Sequence, residues 1–205
     1  MLYTFLRGIA KYFIAPFFPV RLVGSKKIPD GCLLCSNHIS NWDPIFIAVK
    51  LKNKLHFMAK SELFEIKPLL WVFKRLNMFP VRRGENDISA IKSSVKVLKE
   101  GKNLLLFPQG TRTMGKKPDP ADAKAGVGLI ASNTGVDIVP VAVYNKDYRI
   151  RFFRPVYIIV GKTITKDEYM HYSGGDKRKI AEYVFIKINE ELESFEKRHS
   201  VSRNK

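Results

Sequence analysis

Short apolar runs recur along the chain, with amphipathic stretches at helical spacing between them. GCLLCSN at 31–37, KLHFMA at 54–59, MFPV at 78–81, NLLLF at 103–107, DIVPVAV at 137–143 and RPVYIIVGK at 154–162 predict strands. Between them, PIFIAVKL at 44–51 reads as a helix opened by proline. Further helices are predicted within 62–76, over 86–100, over 123–133 and over roughly 176–198. In the second of these, Ile88, Ile91, Val95 and Leu98 repeat at helical spacing, and Gly101 is a plausible stop. The basic tail after Glu196 is expected to fray. Strands alternating with helices imply one α/β domain with a largely parallel, mixed sheet flanked by helices. There is no internal repeat or long linker.

The first 22 residues differ from the rest, and the domain proper is expected over 23–205. On a helical wheel Thr4, Arg7, Gly8, Lys11 and Ala15 form one narrow stripe. Leu2, Tyr3, Phe5, Leu6, Ile9, Tyr12, Phe13 and Phe17 cover the remainder. So wide an aromatic face beside a thin basic stripe suits an amphipathic helix lying in a membrane interface, with Arg7 and Lys11 reaching lipid phosphates. A helix docked on the domain is the alternative. Arg7, Lys11, Pro16 and Pro19 interrupt the apolar run, which disfavours a membrane span, and no small-residue cleavage site follows a basic start.

Composition adds a strong charge. Lys and Arg number 36 against 19 Asp and Glu, a formal +17 in 205 residues. Such a surface attracts polyanions: nucleic acid, anionic lipid headgroups or acidic carrier proteins. No zinc-finger spacing or ribonucleoprotein aromatic motif accompanies the charge, so a nucleic-acid partner is not expected. Cys32 and Cys35 sit in an apolar run and read as small buried residues. No metal site is expected, because His56, His171 and His199 are scattered.

The strongest candidate chemistry is Asn37-His38-Ile39-Ser40-Asn41-Trp42-Asp43-Pro44, between a predicted strand and a predicted helix. Ligands of α/β folds gather at the carboxyl ends of strands. A neutral imidazole there can take a proton from an alcohol, and a carboxylate on its other ring nitrogen would orient it. Positions five apart are misaligned on a regular helix, so His38 and Asp43 meet only across a turn. Pro44 favours one: the residue before proline avoids the helical region, and proline suits the first helical turn. Asp43 as a simple helix cap is the plainer reading. A His–Asp pair at this spacing also arises by chance.

Three further blocks strengthen the case. Met78-Phe79-Pro80-Val81-Arg82-Arg83-Gly84 ends a strand in paired arginines, of which one is expected to be functional and the other structural. Phe107-Pro108-Gln109-Gly110-Thr111-Arg112 follows another strand. Ile138-Val139-Pro140-Val141 is a strand carrying proline, awkward in a central ladder. Guanidinium groups bind phosphate bidentately, so a general base near Arg82, Arg83 and Arg112 suggests a substrate with a hydroxyl and a phosphate. Trp42 and Trp71 suit either acyl or membrane contact, or the core.

These blocks, in this order, resemble the glycerolipid acyltransferase family typified by 1-acyl-sn-glycerol-3-phosphate acyltransferase. NHISNWD resembles its NHxSxxD block, with Asn37 and Ser40 in support. MFPVRR, FPQGTR and IVPV resemble the later ones, and AKSELF at 59–64 and AKAGVG at 123–128 its connecting segments. The resemblance spans roughly residues 20–165. It implies that His38 deprotonates the sn-2 hydroxyl of lysophosphatidic acid, that Asp43 orients His38, and that Arg82, Arg83, Arg112 and, more weakly, Lys60 hold the phosphate. The acyl donor would be acyl-coenzyme A or acyl-acyl carrier protein, the product phosphatidic acid, and no cofactor is implied. The location would be peripheral, on the cytoplasmic face of an anionic membrane. Acylation of glycerol 3-phosphate or another lysophospholipid, or a non-catalytic membrane-binding homologue, are the alternatives. One position departs from the pattern: Gln109 stands where the family has glutamate, keeping the hydrogen-bonding shape and losing the charge. If that carboxylate anchors an arginine or takes part in the chemistry, activity or substrate preference would differ; a structural acceptor role, which changes little, is the favoured reading, with Gly110, Thr111 and Arg112 intact.

Overall fold

The computed structural model describes residues 2–82 and 87–201. Seven strands, β1 (Val20–Val23), β2 (Leu33–Ser36), β3 (Leu55–Lys60), β4 (Met78–Val81), β5 (Asn103–Leu106), β6 (Ile138–Tyr144) and β7 (Val156–Val160), form one sheet. Their spatial order is β1-β7-β6-β2-β5-β3-β4. Strands β6, β2, β5, β3 and β4 run parallel. Strand β7 is antiparallel to β6, and β1 is parallel to β7, so that edge is reversed. The mixed, largely parallel α/β sheet expected from the alternating pattern is present.

The helices are α1 (Leu2–Ile14), α2 (Asp43–Lys50), α3 (Lys67–Arg75), α4 (Ile88–Lys99), α5 (Gly126–Thr134), α6 (Lys166–Ser173) and α7 (Lys177–Val201). Two elements escaped the sequence reading: β1 and α6. Strand β1 lies across residue 22, so the stretch outside the sheet is shorter than the 22 residues expected. The fraying expected after Glu196 does not begin there, because α7 continues to Val201, and residues 202–205 lie outside the described residues. The predicted helix within 62–76 is divided into a 3₁₀ turn, Ser61–Phe64, and α3, which begins where Pro68 fits the first turn.

Burial follows strand position. Strands β2 and β5 are buried at every residue, and β6 at all but the last, because helices cover both faces of the sheet's middle. The edge strand β4 has no fully buried residue. Pro140 sits in β6, an interior strand, against the expectation that proline avoids such ladders. Its carbonyl accepts from Gly161 N (2.9 Å), one residue beyond the end of β7. A strand residue's N–H and C=O point to the same side, so the missing donor faces the irregular stretch between the Gly161 bond and the isolated Ile138–Ile164 bridge, where regular pairing is interrupted. Pro80 lies on β4, where an edge tolerates it.

Right-handed crossovers send β2 through α2 toward β3, and β5 through α5 toward β6, on opposite faces of the sheet. The loops leaving β2 and β5 therefore part at the carboxyl end, where a crevice opens between neighbouring strands. On one face α5 packs against α7 so closely that a Cβ at Gly128 would lie 1.8 Å from Lys177 O.

Helix α1 docks on α2. Tyr3 and Ile14 are buried, and Tyr3 Oη accepts from Leu55 N at 3.2 Å. Arg7 donates from Nη1 to Leu51 O (2.8 Å) and Lys52 O (3.1 Å), just past the C-terminus of α2. These bonds use Nη1 alone, so the docked helix and the lipid contact expected of Arg7 do not compete: Nε and Nη2 remain as donors. Phe5, Ile9, Tyr12 and Phe13 remain exposed. Among the described residues no helix is long and apolar enough to cross a membrane. Cys32 and Cys35 are free and buried, and burial pushes the Cys32 thiol up to about 12.

Candidate active site

Strand β2 ends at Ser36, and the next residues define the site. Asn37 is buried and exchanges two hydrogen bonds with the backbone of Val143: its Nδ2 donates to Val143 O (2.9 Å), and its Oδ1 accepts from Val143 N (2.7 Å). A side chain thus continues the β2–β6 pairing where the backbone turns away, anchoring the histidine that follows. A tight turn closes by Asp43 N donating to Ser40 O (3.2 Å), and α2 begins at Asp43.

Pro44 lies in the first turn of α2, as expected, but the cap position is Trp42, not Asp43. The capping alternative is corrected, because the Asp43 side chain points back into the loop. Its Oδ2 accepts from His38 Nδ1 (2.8 Å), Ile39 N (2.7 Å) and Ser40 N (2.7 Å). An oxygen already receiving two backbone N–H groups acts as an acceptor toward the imidazole too. The ring proton is then held on Nδ1, and Nε2 keeps its lone pair. Nε2 has no protein partner among the described residues. Burial pushes the Asp43 carboxyl above its ordinary range, and the His38 ring and the Ser40 and Ile39 amides pull against that rise. Asp43 Oδ1 is buried without a partner.

The loop after β5 closes over the histidine. Phe107 stacks on the His38 ring, centroids 4.1 Å apart and planes 22° apart. Gln109 is 1% exposed: its Oε1 accepts from His38 N (2.9 Å), and its Nε2 donates to Thr113 Oγ1 (2.9 Å). Thr113 N donates to His38 O (2.9 Å). Both backbone groups of His38 are thus held by this loop, and Gln109 is the structural acceptor expected. Gly110 makes the turn at φ 66°, with the Lys124 side chain alongside. Phe107, Thr113 and Lys124 escaped the sequence reading, although Phe107 opens the FPQGTR block and Lys124 belongs to AKAGVG.

The cationic candidates share this edge but not this contact. Thr111 and Arg112 are exposed in the same loop, and the Arg112 guanidinium has no partner among the described residues. Lys60 and Val81 are paired at the ends of β3 and β4, so Lys60 and Arg82 are neighbours. Three strand spacings separate β2 from β4, about 14 Å. Arg82 is exposed, its backbone N donating to Asp87 Oδ2 (2.8 Å), and its guanidinium is unpaired among the described residues. Lys60 pairs instead with Glu62 at 2.7 Å. Arg83 lies outside the described residues. Ser40 shapes the turn through its Oγ, which accepts from Trp42 N (3.2 Å). Trp42 and Trp71 are both on the surface rather than in the core; Trp42 packs on Phe18 and Phe46, and Trp71 lies under Arg75. Among the described residues no three His, Cys, Asp or Glu side chains are grouped to hold a metal.

A buried imidazole–carboxylate pair at the carboxyl end of a parallel sheet, with its outer nitrogen free, is an apparatus for activating a hydroxyl. Residues 19–144, more than half the chain, match the Acyltransferase family, and the chain belongs to that family. Among its relatives is the 1-acyl-sn-glycerol-3-phosphate acyltransferase of Streptococcus pneumoniae, 34% identical over 147 residues, 69% of this chain and 53% of that protein. The chain thus spans about half the length of that relative. The enzyme of the same name from Bacillus subtilis is 30% identical over 176 residues, 83% of this chain and 86% of its own. The crystal structure of the 1-acyl-sn-glycerophosphate acyltransferase PlsC from Thermotoga maritima superposes with a TM-score of 0.70 at 25% identity, covering 92% of this chain and 78% of that one.

Proposed function

We propose that this protein transfers a fatty acyl group from a thioester to the sn-2 hydroxyl of 1-acyl-glycerol 3-phosphate, forming phosphatidic acid in phospholipid biosynthesis. The observation that carries the reading is the 2.8 Å His38–Asp43 bond with Nε2 left free. In this scheme Nε2 accepts the hydroxyl proton as the oxygen attacks the thioester carbonyl. The new C–O bond forms and the C–S bond breaks. The departing thiolate takes the proton back from the imidazolium, restoring the neutral ring. Asp43 keeps the ring oriented and stabilises its charged form. Arg82, Arg83 and Arg112, with Lys60 as a weaker fourth, would hold the phosphate. The unpaired, exposed state of Arg82 and Arg112 among the described residues supports that assignment. The donor is acyl-coenzyme A or acyl-acyl carrier protein, and the scheme calls for no cofactor. Residues 1–22 would associate with an anionic membrane, placing the enzyme peripherally on the cytoplasmic face. The exposed aromatic side of α1 supports this.

Purified protein offered each labelled donor with lysophosphatidic acid, glycerol 3-phosphate and other lysophospholipids tests the reading. Preferred acylation of lysophosphatidic acid, abolished in a folded His38→Ala variant, is expected. Preference for another acceptor would overturn the substrate assignment. Undiminished function in His38→Ala would mark a non-catalytic membrane-binding homologue.

A further inference from the structure

The connection from β6 to β7 carries the sequence Arg149-Ile150-Arg151-Phe152-Phe153-Arg154. Phe152 is 63% exposed and Phe153 71%. Phe153 also holds φ at 58°, a left-handed conformation that a bulky residue adopts only at a cost. The conformation is held by Phe153 N donating to Phe17 O at 2.7 Å. Two adjacent phenylalanines are thus presented to the surroundings by a strained backbone, where water gives them nothing in return. Phe152 stacks on Phe18 (5.0 Å between centroids), and Phe18 touches Trp42 (5.5 Å), the neighbour of Asp43. On the other side the rings of Phe17 meet both Phe152 (6.1 Å) and Phe153 (6.2 Å). The patch therefore continues from the chain following α1 to the catalytic turn.

We infer that the 149–154 loop is a membrane wedge, with Phe152 and Phe153 entering the acyl boundary of an anionic bilayer and Arg149, Arg151 and Arg154 meeting its headgroups. Charge selects this occupant. Among the described residues Asp147 is the one carboxylate paired with any of the three arginines, at 3.8 Å from Arg151, and the whole chain carries +17. Apolar tips flanked by cations suit an anionic interface, where the rings are buried and the guanidinium groups stay at phosphate level. The loop is separate in sequence from α1, and through Phe17 it extends the apolar surface that follows that helix. Because the patch runs on through Phe18 to Trp42, its entry into the lipid would set the Trp42 side of the catalytic turn toward the membrane. Its use in catalysis rests on the acyltransferase reading above, whereas the lipid contact does not.

Cys32 and Cys35 are buried, so a single introduced cysteine can be labelled selectively in the folded full-length chain. A polarity-sensitive fluorophore on Phe153→Cys should shift blue on vesicles of equal parts phosphatidylcholine and phosphatidylglycerol, and be quenched by brominated acyl chains. The same fluorophore on Lys179→Cys should remain in water. Lys179 lies about 25 Å along α7 from Glu196, whose carboxylate accepts from Tyr148 of the loop. Phe153→Gly accommodates the positive φ while removing the ring, and should weaken vesicle partitioning about tenfold with thermal unfolding unchanged. A fluorophore at 153 that stays in water on vesicle-bound protein, or unaltered partitioning of Phe153→Gly, overturns the inference. Quenching at 153 in a protein that acylates nothing would sink the catalytic reading and leave this one standing. Full activity with 153 in water would do the reverse.

Discussion

Replacing Asp43 by asparagine isolates the charge from the geometry. Oδ2 receives Ile39 N, Ser40 N and His38 Nδ1 together, so an asparagine oxygen is pinned to that position by two amides. The amide group must then occupy the place of Oδ1, which has no partner. His38 keeps its tautomer, and only the negative charge beside the imidazolium is lost. At 2.8 Å and an effective dielectric near 20, the attraction removed is about 6 kcal/mol. The surviving neutral hydrogen bond offsets part of it, leaving a loss of about 3–6 kcal/mol in the transition state. This corresponds to a fall of about 10²–10⁴ in kcat/KM. Stability should move little, within about 2 kcal/mol, because an unpaired buried amide replaces a buried charge. Phosphatidic acid formation from labelled donor in mixed micelles, beside thermal unfolding, reads both quantities. A folded Asp43→Asn enzyme within about threefold of the parent kcat/KM would refute the role given to Asp43.

Three further outcomes are expected. Gln109→Ala leaves the buried His38 N–H unpaired and should cost about 2–3 kcal/mol in urea unfolding, whereas Gln109→Glu keeps an acceptor there and should hold the rate within about fivefold. Gly128→Ala forces a Cβ onto the Lys177 carbonyl and should destabilise by about 2–4 kcal/mol, seen as a lower denaturation midpoint. Asp87 caps α4 and accepts from Arg82 N, Ser89 Oγ and Ala90 N, bonds that hold its carboxyl down at about 2. Because its pKa is lowered by folding, its contribution is present above about pH 4 and is lost as pH falls toward 2. Asp87→Ala should therefore cost about 1 kcal/mol at neutral pH, with the deficit against the parent closing over that acid range. A deficit independent of pH would show that the capping charge is not the cause.

Much of this molecule was legible one segment at a time. The buried runs became β2, β5 and β6 because a central parallel strand has no polar face, and the repeat from Ile88 to Leu98 became α4. What escaped was short or weakly patterned. Strand β1 is four residues of mixed burial, and α6 has little amphipathicity. A local signal for α6 was available: Thr165 accepts from Glu168 N, and Gly174 ends the helix in the left-handed region. The carbonyls that Arg7 meets were not legible either, because they belong to residues 44 and 45 positions away.

The division between the two levels is clearest at His38 and Asp43. Five-residue spacing and Pro44 are local facts, and they were enough to predict a turn that lets the two side chains meet. Sequence order likewise placed the histidine block and the FPQGTR block after strands. Which strands became neighbours depended on crossovers and on burying apolar residues far apart in the chain. Only the packed sheet could set Phe107 on the imidazole, Gln109 on the His38 amide and Asn37 on Val143, 106 residues distant. Side-chain periodicity records which face of an element is buried, but not what covers it. The local sequence thus made a contact between histidine and aspartate possible, and the tertiary structure decided that it forms and which residues hold the histidine.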